Sequence, residues 1–412
     1  MTEPELELTD LFRTIELSTQ TKGAGDTPTT SSNHPPDRTT WSALRRPISY
    51  FLLSRVVVVI AALIAAWRVP RLHLVQAITG WDGQWYTKIA QHGYPHGLFN
   101  EGDGSRWAFF PAYPAMVRGT VDLTGLSYGN AELALSFLFG LTSVVAIWLA
   151  VRSVFGPRIA DRSALLYVCF PASYVLSMAY TEALFLTAAA GCLYALSRRM
   201  WMTAATFAVI GSLTRSFGVV LIACVVVVAV PVVMRDRKVR PLLAIAVAPL
   251  GFAAWLLYSW HETGTPLAFL KAEQFLGYTH FKWFMTPIIS LAHLLTSVRA
   301  FSDWQLVLAS LAIVFAVVGL DLLWKAHLDG VRIPLYWWVF TIGSVLGAMS
   351  PYVPTSVLRY SMAAFPLFAG VAWKLRLRWT TALATAMMAS QAVLFAAVLV
   401  GTLHPETTLM WP

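Results

Sequence analysis

Apolar residues in this chain gather into long unbroken runs, separated by short polar intervals that often carry arginine. The first run starts at Ile48, behind Arg45 and Arg46, and reaches Trp67; at about 20 residues it is long enough to cross the hydrocarbon core of a bilayer. Further runs lie at roughly 133–151, 163–179, 182–197, 201–213, 217–234, 241–260, 304–324, 335–350, 360–373 and 380–402, which predicts eleven membrane helices with the first. Nothing ahead of Ile48 has the form of a cleavable signal, so the first helix is expected to stay as an anchor. The stretch 201–234 is the tightest, because it offers fewer than the ~40 residues that two full spans need. Either two short helices turn around Arg215 in a polar cavity, or one long helix inverts all later topology; the basic cluster Arg235–Arg240 favours the first.

This pattern predicts an all-α polytopic membrane protein. Residues 1–47, rich in Thr, Ser, Pro and acids, read as a disordered cytoplasmic tail. Residues 48–402 read as one transmembrane domain and 403–412 as a short extracytoplasmic tail. With the amino terminus inside, 19 of the 30 cations fall on the cytoplasmic side, which fixes the expected orientation. Two connections are long, about 68–132 and 261–303, and both fall outside, so the working surface is expected to be extracytoplasmic. An odd span count and the absence of an internal repeat argue against the inverted repeats of many secondary transporters.

Composition narrows the chemistry. Hydrophobic residues make up 57% of the chain and charged residues 12%, with mean hydropathy +0.61, far from the ~25% charge of soluble domains. The net charge of +9 is dispersed between apolar runs, which excludes a nucleic-acid surface. Cys169, Cys192 and Cys224 all lie inside apolar runs, so they build neither a disulfide framework nor a spaced zinc site. No histidine pair has metal-ligand spacing, and His92 and His96 are expected to stay in a solvated loop.

Candidate chemistry concentrates in the outer segments. In the first long loop stands Trp81-Asp82-Gly83-Gln84-Trp85-Tyr86, where Trp81, Trp85 and Ile89 recur every four residues and Gly93 suits a helix end. The spacing predicts a short helix at the membrane surface with Asp82 as its N-cap. Asp82 then stands where a carboxylate meets both lipid headgroups and water; its plain role would be the cap alone. Phe110-Pro111-Ala112-Tyr113-Pro114 follows, and two prolines so close predict a rigid aromatic turn in place of a regular helix. Three more places put polar groups where apolar ones would cost less: Phe170-Pro171-Ala172-Ser173 leading to Tyr180-Thr181-Glu182, then Thr214-Arg215, then Arg359-Tyr360. A charge at the centre of a membrane helix costs roughly 2.5–3.5 kcal/mol, so such residues usually line a cavity; the plain alternative is that the arginines snorkel to headgroups. In the second long loop, Gly264 and Pro266 mark a turn into a short helix bearing Lys271 and Gln274.

Taken in order, these motifs resemble the PIG-V-type mannosyltransferases, the GPI mannosyltransferase 2 family with its bacterial relatives, within the GT-C class of membrane glycosyltransferases. The resemblance runs from about 48 to 373 and also rests on Thr263-Gly264, Pro266-Leu267-Ala268-Phe269 and Phe365-Pro366. Thr265 departs from it, standing where many relatives carry an acid, which puts a catalytic acid in the second loop in question. The resemblance implies a GT-C-like bundle of about eleven helices whose first outer loop carries interfacial helices. It also implies transfer of a sugar, usually mannose, from a polyprenyl-phosphate donor to a glycolipid, glycan or protein acceptor outside the cell membrane.

On that reading Asp82 takes the acceptor hydroxyl proton during inverting displacement, with Glu182 as the reserve base. Arg215 and Arg359, with Lys271 as a further cation, receive the leaving phosphate. Trp81, Gln84, Trp85, Tyr86, Phe110, Pro111, Tyr113, Tyr180, Gln274 and Tyr360 complete the expected substrate site. No cofactor beyond the lipid-linked donor is called for, and the cations leave a divalent metal unneeded. With 23 Arg against 7 Lys, the composition leans toward a GC-rich, actinobacterial-like envelope protein. A transporter or flippase of lipid phosphate could use the same arginines, and a noncatalytic membrane partner would tolerate loss of Asp82.

Overall fold

The fold was analysed from a computed structural model that describes residues 41–97, 104–275, 288, 292, 304–349 and 356–402. All regular structure among the described residues is helical. Six helices are long and apolar enough to cross a membrane: Ser42–Arg68, Tyr128–Phe155, Ser216–Asp236, Val239–Thr263, Leu306–Leu328 and Leu377–Gly401. Side chains such as Leu53, Val59, Leu257, Val317 and Val393 stand exposed on them, as lipid-facing surfaces require. This is a multi-pass membrane protein.

The expected eleven spans are not eleven membrane-length helices. Each predicted run does contain a helix, but five of the runs hold short or broken ones. Pro157–Cys169 has 13 residues, Trp201–Thr214 has 14, Leu335–Met349 has 15 and Pro366–Lys374 has 9. The fifth, Glu182–Ser197, follows the 3-10 helix Pro171–Ser177 at a bend of 101°, and counting this pair as one span gives seven. Hydropathy continues across these breaks while the helices do not. Pro171 has no N–H and forces Phe170 into extended backbone (φ −54°, ψ 139°). Broken backbone at membrane depth is tolerated where it is buried in protein or lines a polar cavity.

The tight stretch 201–234 turns back on itself. Trp201–Thr214 ends at Arg215, whose backbone is extended (φ −154°, ψ 155°), and Val219–Asp236 returns along it. Gly218 makes the reversal fit: a Cβ there would lie 2.3 Å from the backbone of Ser212, so no other residue is accommodated without a shift. The polar turn around Arg215 is therefore present and the single long helix is not.

Glu182–Ser197 is the central helix. It is apolar on every side, and 13 of its 16 residues are buried, as expected for a helix enclosed by others. Its alanine-rich run lies close to Trp201–Thr214, where a Cβ on Gly211 would meet Cβ of Ala188 at 3.7 Å, the small-residue packing that brings membrane helices together. The first helix begins at Trp41, ahead of the expected boundary at 48, and carries Pro47 inside it. The rest of the predicted tail, residues 1–40, and the predicted carboxy-terminal tail, 403–412, lie outside the described residues, as does most of 276–303.

The two long connections meet. Gly97 donates its N–H to the carbonyl of Glu262 at 2.9 Å, and exposed His96 contacts the Glu262 carboxylate at 2.5 Å. Trp107, Phe110, Trp255, Ala268, Phe269 and Ala272 form one buried cluster between them.

Candidate functional site

Asp82 opens the helix Asp82–His92 and is not its cap. The residue before the helix is Trp81, with φ 54° and ψ −120°, a conformation that costs a non-glycine residue about 1–3 kcal/mol. Gly83 lets this helix start close against the bend: a Cβ there would sit 3.0 Å from Cβ of Ala179, two residues before Thr181 and three before Glu182. Gly93, at φ 69°, ends the helix as its sequence predicts. With the capping role gone, the Asp82 carboxylate is free to point inward, where its Oδ2 accepts from Nη1 of Arg359 at 2.8 Å.

From there a chain of charges runs through the protein. Nε of Arg359 lies 3.2 Å from Oε1 of Glu182, and Nη1 of Arg215 lies 2.6 Å from the same oxygen. The Arg359 side chain is 4% exposed and that of Glu182 6%, against 16% for Arg215 and 29% for Asp82. Polarity therefore grades from a sealed centre to an accessible end at Asp82. Nη2 of Arg359 donates to the Tyr360 hydroxyl at 3.0 Å. Its guanidinium lies 4.8 Å from the ring centroids of both Tyr180 and Tyr360, and Arg215 lies 4.8 Å from the Tyr360 ring. Aromatic faces thus hold the two cations in place from the sides their carboxylates leave open.

Aromatic residues of the first loop brace this end. Tyr86 is buried, shares a hydrogen bond of 3.1 Å with the Thr181 hydroxyl, and packs edge-on to Phe109 and Tyr113 at 5.2 Å each. Burial, with the Asp82 charge as the next cause, holds the Tyr86 hydroxyl above its usual range, so it remains a donor. Trp85 stacks on Phe109 at 5.9 Å, and Tyr113 reaches the Ser136 hydroxyl at 3.1 Å. The two prolines do not break the chain into a bare turn. Pro111 precedes the helix Ala112–Thr124 and Pro114 sits in its first turn, where backbone N–H groups have no helical partner anyway. Phe110 belongs to the cluster between the two loops.

Some expected residues stay apart. Gln84 is exposed, and Lys271 and Gln274 stand exposed on the helix Ala268–Phe275, outside the four-residue ion-pair chain. Their neighbour Glu273 is half-buried. Burial lifts its carboxyl to about 7, against the pull of the Arg215 charge. Glu273 supplies an acid in the second loop, eight positions from where Thr265 lacks one, and the periodicity of that helix was the available signal.

Two further buried ionisable residues escaped the sequence reading. Glu132 accepts from the Thr87 hydroxyl at 2.6 Å and so ties the Asp82 helix to Tyr128–Phe155. Arg55, inside the first span, donates to the Ser173 carbonyl at 3.0 Å and to the Ser177 hydroxyl at 2.8 Å. It fixes the 3-10 helix that precedes the bend to Glu182. An arginine in the middle of an apolar run was the signal for it. Among the described residues, no group of three or more His, Cys, Asp or Glu is arranged to hold a metal ion.

An all-helical membrane protein with a buried chain of paired carboxylates and guanidiniums is the class that fold and site define. Residues 71–254 match the family model described as mannosyltransferase (PIG-V). The chain is also similar to GPI alpha-1,6-mannosyltransferase 2 from Cricetulus griseus, 32% identical over 146 residues, and from Rattus norvegicus, 35% identical over 126 residues. These matches cover 33% and 27% of this chain and 28% and 24% of the relatives, so it aligns with about a quarter of each curated protein's length. Over that stretch the chain is similar to PIG-V-type mannosyltransferases, as the ordered motifs implied. Residues 71–254 hold Asp82, Glu182 and Arg215, while Arg359 lies beyond them. Among solved structures, ArnT from Cupriavidus metallidurans bound to undecaprenyl phosphate is 17% identical with a TM-score of 0.49, covering 88% of this chain and 72% of that one. The Archaeoglobus fulgidus oligosaccharyltransferase tethered to an acceptor peptide is 12% identical with a TM-score of 0.41, covering 85% and 55%.

Proposed function

We propose that this protein is a GT-C-class glycosyltransferase of the cell membrane. It transfers a sugar, mannose by family likeness, from a polyprenyl-phosphate donor to an extracytoplasmic glycolipid, glycan or protein acceptor, with inversion. The observation that carries the reading is the chain Asp82–Arg359–Glu182–Arg215: an accessible carboxylate beside two guanidiniums, in a protein whose Asp82 motif belongs to the mannosyltransferase match. The catalytic unit spans 48–402, with the amino terminus cytoplasmic and Asp82 outside.

The chemistry follows from these groups. The acceptor hydroxyl oxygen bonds to the anomeric carbon, the bond from that carbon to the phosphate oxygen breaks with its electron pair leaving on phosphate, and Asp82 takes the hydroxyl proton. Phosphate is a good leaving group and needs no strong general acid, so one base suffices where glycosidases use two carboxyl groups. Arg359 and Arg215 meet the charge that grows on the phosphate, in surroundings too dry to screen it. Glu182, shared by both guanidiniums and sealed from water, aligns them. The lipid part of the donor has a matching environment. A cavity of about 730 Å³, lined by Leu166, Phe170, Leu311, Phe315, Leu358 and Phe368 among others, includes the residue next to Arg359.

The test is transfer from labelled polyprenyl-phosphate mannose by the purified protein in liposomes, with envelope lipids as acceptors. Asp82→Asn is expected to lower transfer by about 10²-fold or more while the protein keeps its elution profile and helix content. Unchanged transfer overturns the role of Asp82. Movement of intact donor across the bilayer without transfer would make the protein a transporter.

A further inference from the structure

Arg359 spends its guanidinium on partners of unequal tenacity. Its Nε faces Glu182, which is itself gripped by Arg215 at 2.6 Å and is 6% exposed; its Nη2 faces the hydroxyl of its own neighbour, Tyr360. Its guanidinium lies 4.8 Å from the ring centroids of both Tyr180 and Tyr360. Asp82, at Nη1, is the outlier. It is the most exposed member of the cluster at 29%, and it comes from a different part of the chain, 277 positions away.

Charge arithmetic sharpens the contrast. Two guanidiniums and two carboxylates balance. A phosphate arriving at Arg359 brings excess negative charge, and like charges that close together in a poorly solvated site repel strongly. One anion must yield. Glu182 is locked by two cations and has no water to retreat to, whereas Asp82 reaches solvent. While the pair holds, Oδ2 of Asp82 is occupied by Nη1 of Arg359 and is not offered to an acceptor hydroxyl.

We propose that Arg359 is a specificity-determining residue that couples donor recognition to base release: a lipid phosphate taking Nη1 of Arg359 displaces Asp82 and so frees it to accept the acceptor proton. The inference rests on the function proposed above and deepens it. The Asp82–Arg359 contact breaks, a phosphate–Arg359 contact forms, and no proton moves in the exchange. A lipid-linked sugar without an anionic phosphate leaves the base tied up, and so does the absence of donor, which keeps Asp82 from acting when no sugar is ready to receive the acceptor.

The experiment reads Asp82 directly. The full-length protein in lipid nanodiscs is treated with a carbodiimide and a labelled amine, and modification of Asp82 is quantified by peptide mass spectrometry, while bound lipid is measured in parallel. Adding undecaprenyl phosphate, which carries no sugar, is expected to raise Asp82 modification severalfold, and neutral undecaprenol is expected to leave it unchanged. Arg359→Gln is expected to show high modification from the start with no further rise; Arg359→Lys, which retains the charge, is expected to keep part of the response. Bound undecaprenyl phosphate with no rise in modification overturns the exchange while leaving the proposed function intact. A rise in modification without sugar transfer from the labelled donor overturns the function while the exchange stands. Failure of undecaprenyl phosphate to bind overturns both.

Discussion

Arg359 and Arg55 are both buried guanidiniums in a largely apolar bundle, and they are housed in opposite ways. Arg359 is met by carboxylates, two of them, one accessible. Arg55, 5% exposed, is met by neutral groups: the Ser173 carbonyl, the Ser177 hydroxyl and, at 3.2 Å, the Ser54 hydroxyl. A carbonyl in the main chain cannot leave, and a neutral partner gains nothing from the arrival of an anion. Carboxylate partners can be exchanged for another anion at little electrostatic cost. The first arrangement suits a ligand site and the second a brace, although both start from one buried arginine.

The largest effect expected from breaking this contrast is at Glu182. Glu182→Gln leaves Arg215 and Arg359 facing each other without their shared anion, and losing one partner of a buried ion pair typically costs about 3–5 kcal/mol. Thermal unfolding in detergent should register that loss as a clear drop in Tm. Undecaprenyl phosphate should then raise Tm more in the variant than in the parent, because a ligand stabilises in proportion to how much better it binds the folded state. Equal shifts in the two proteins would mean that the phosphate does not meet these cations.

Arg55→Met makes the opposite case. It strands the Ser173 carbonyl and the Ser177 hydroxyl, and an unsatisfied buried polar group costs about 1–3 kcal/mol. Tm is expected to fall by less than in Glu182→Gln, and the gain in Tm from undecaprenyl phosphate should equal that of the parent. Loss of that gain would show Arg55 to be part of the ligand site, and the contrast between brace and site would fail.

Much of the site was legible because its residues break a rule. Asp82, Arg215 and Arg359 interrupt apolar runs or open a loop helix, and polar interruptions of that kind stand out in a composition with 12% charged residues. Their mutual distances were not legible, since Arg359 meets Asp82 across 277 positions. Glu182 read as a reserve because sequence alone places it at the edge of an apolar helix; only packing puts it between two arginines. The eleven apolar runs and the turn at Arg215 were also legible, but hydropathy is blind to the break at Phe170-Pro171 and to how short helices such as Pro366–Lys374 are, and these decide how many helices reach membrane length. Trp81 misled in a similar way. Its left-handed backbone moves the helix start by one residue and turns Asp82 from a cap into an ion-pair partner.

Glu273 offers a third way to house a buried charge, which is to discharge it. Its carboxyl sits at about 7 in the folded protein, raised by burial and opposed by the nearby Arg215 charge, against a usual value of 4.5. The folded state therefore holds this proton more tightly than the unfolded chain does. Its contribution to stability is full below about 4.5, declines as pH rises toward about 7, and stays lost above that. Glu273→Gln removes the dependence, since the amide is neutral throughout. Tm measured at pH 5 and pH 8 for parent and variant is expected to diverge, with the parent losing more on the alkaline side; the other titrating groups are common to both proteins and cancel. The effect should be the smallest of the three, because Glu273 is only half-buried and water softens its desolvation. Parallel Tm curves would mean that Glu273 keeps its charge, in which case Arg215 has a second carboxylate partner and belongs fully with Arg359 among the exchangeable cations.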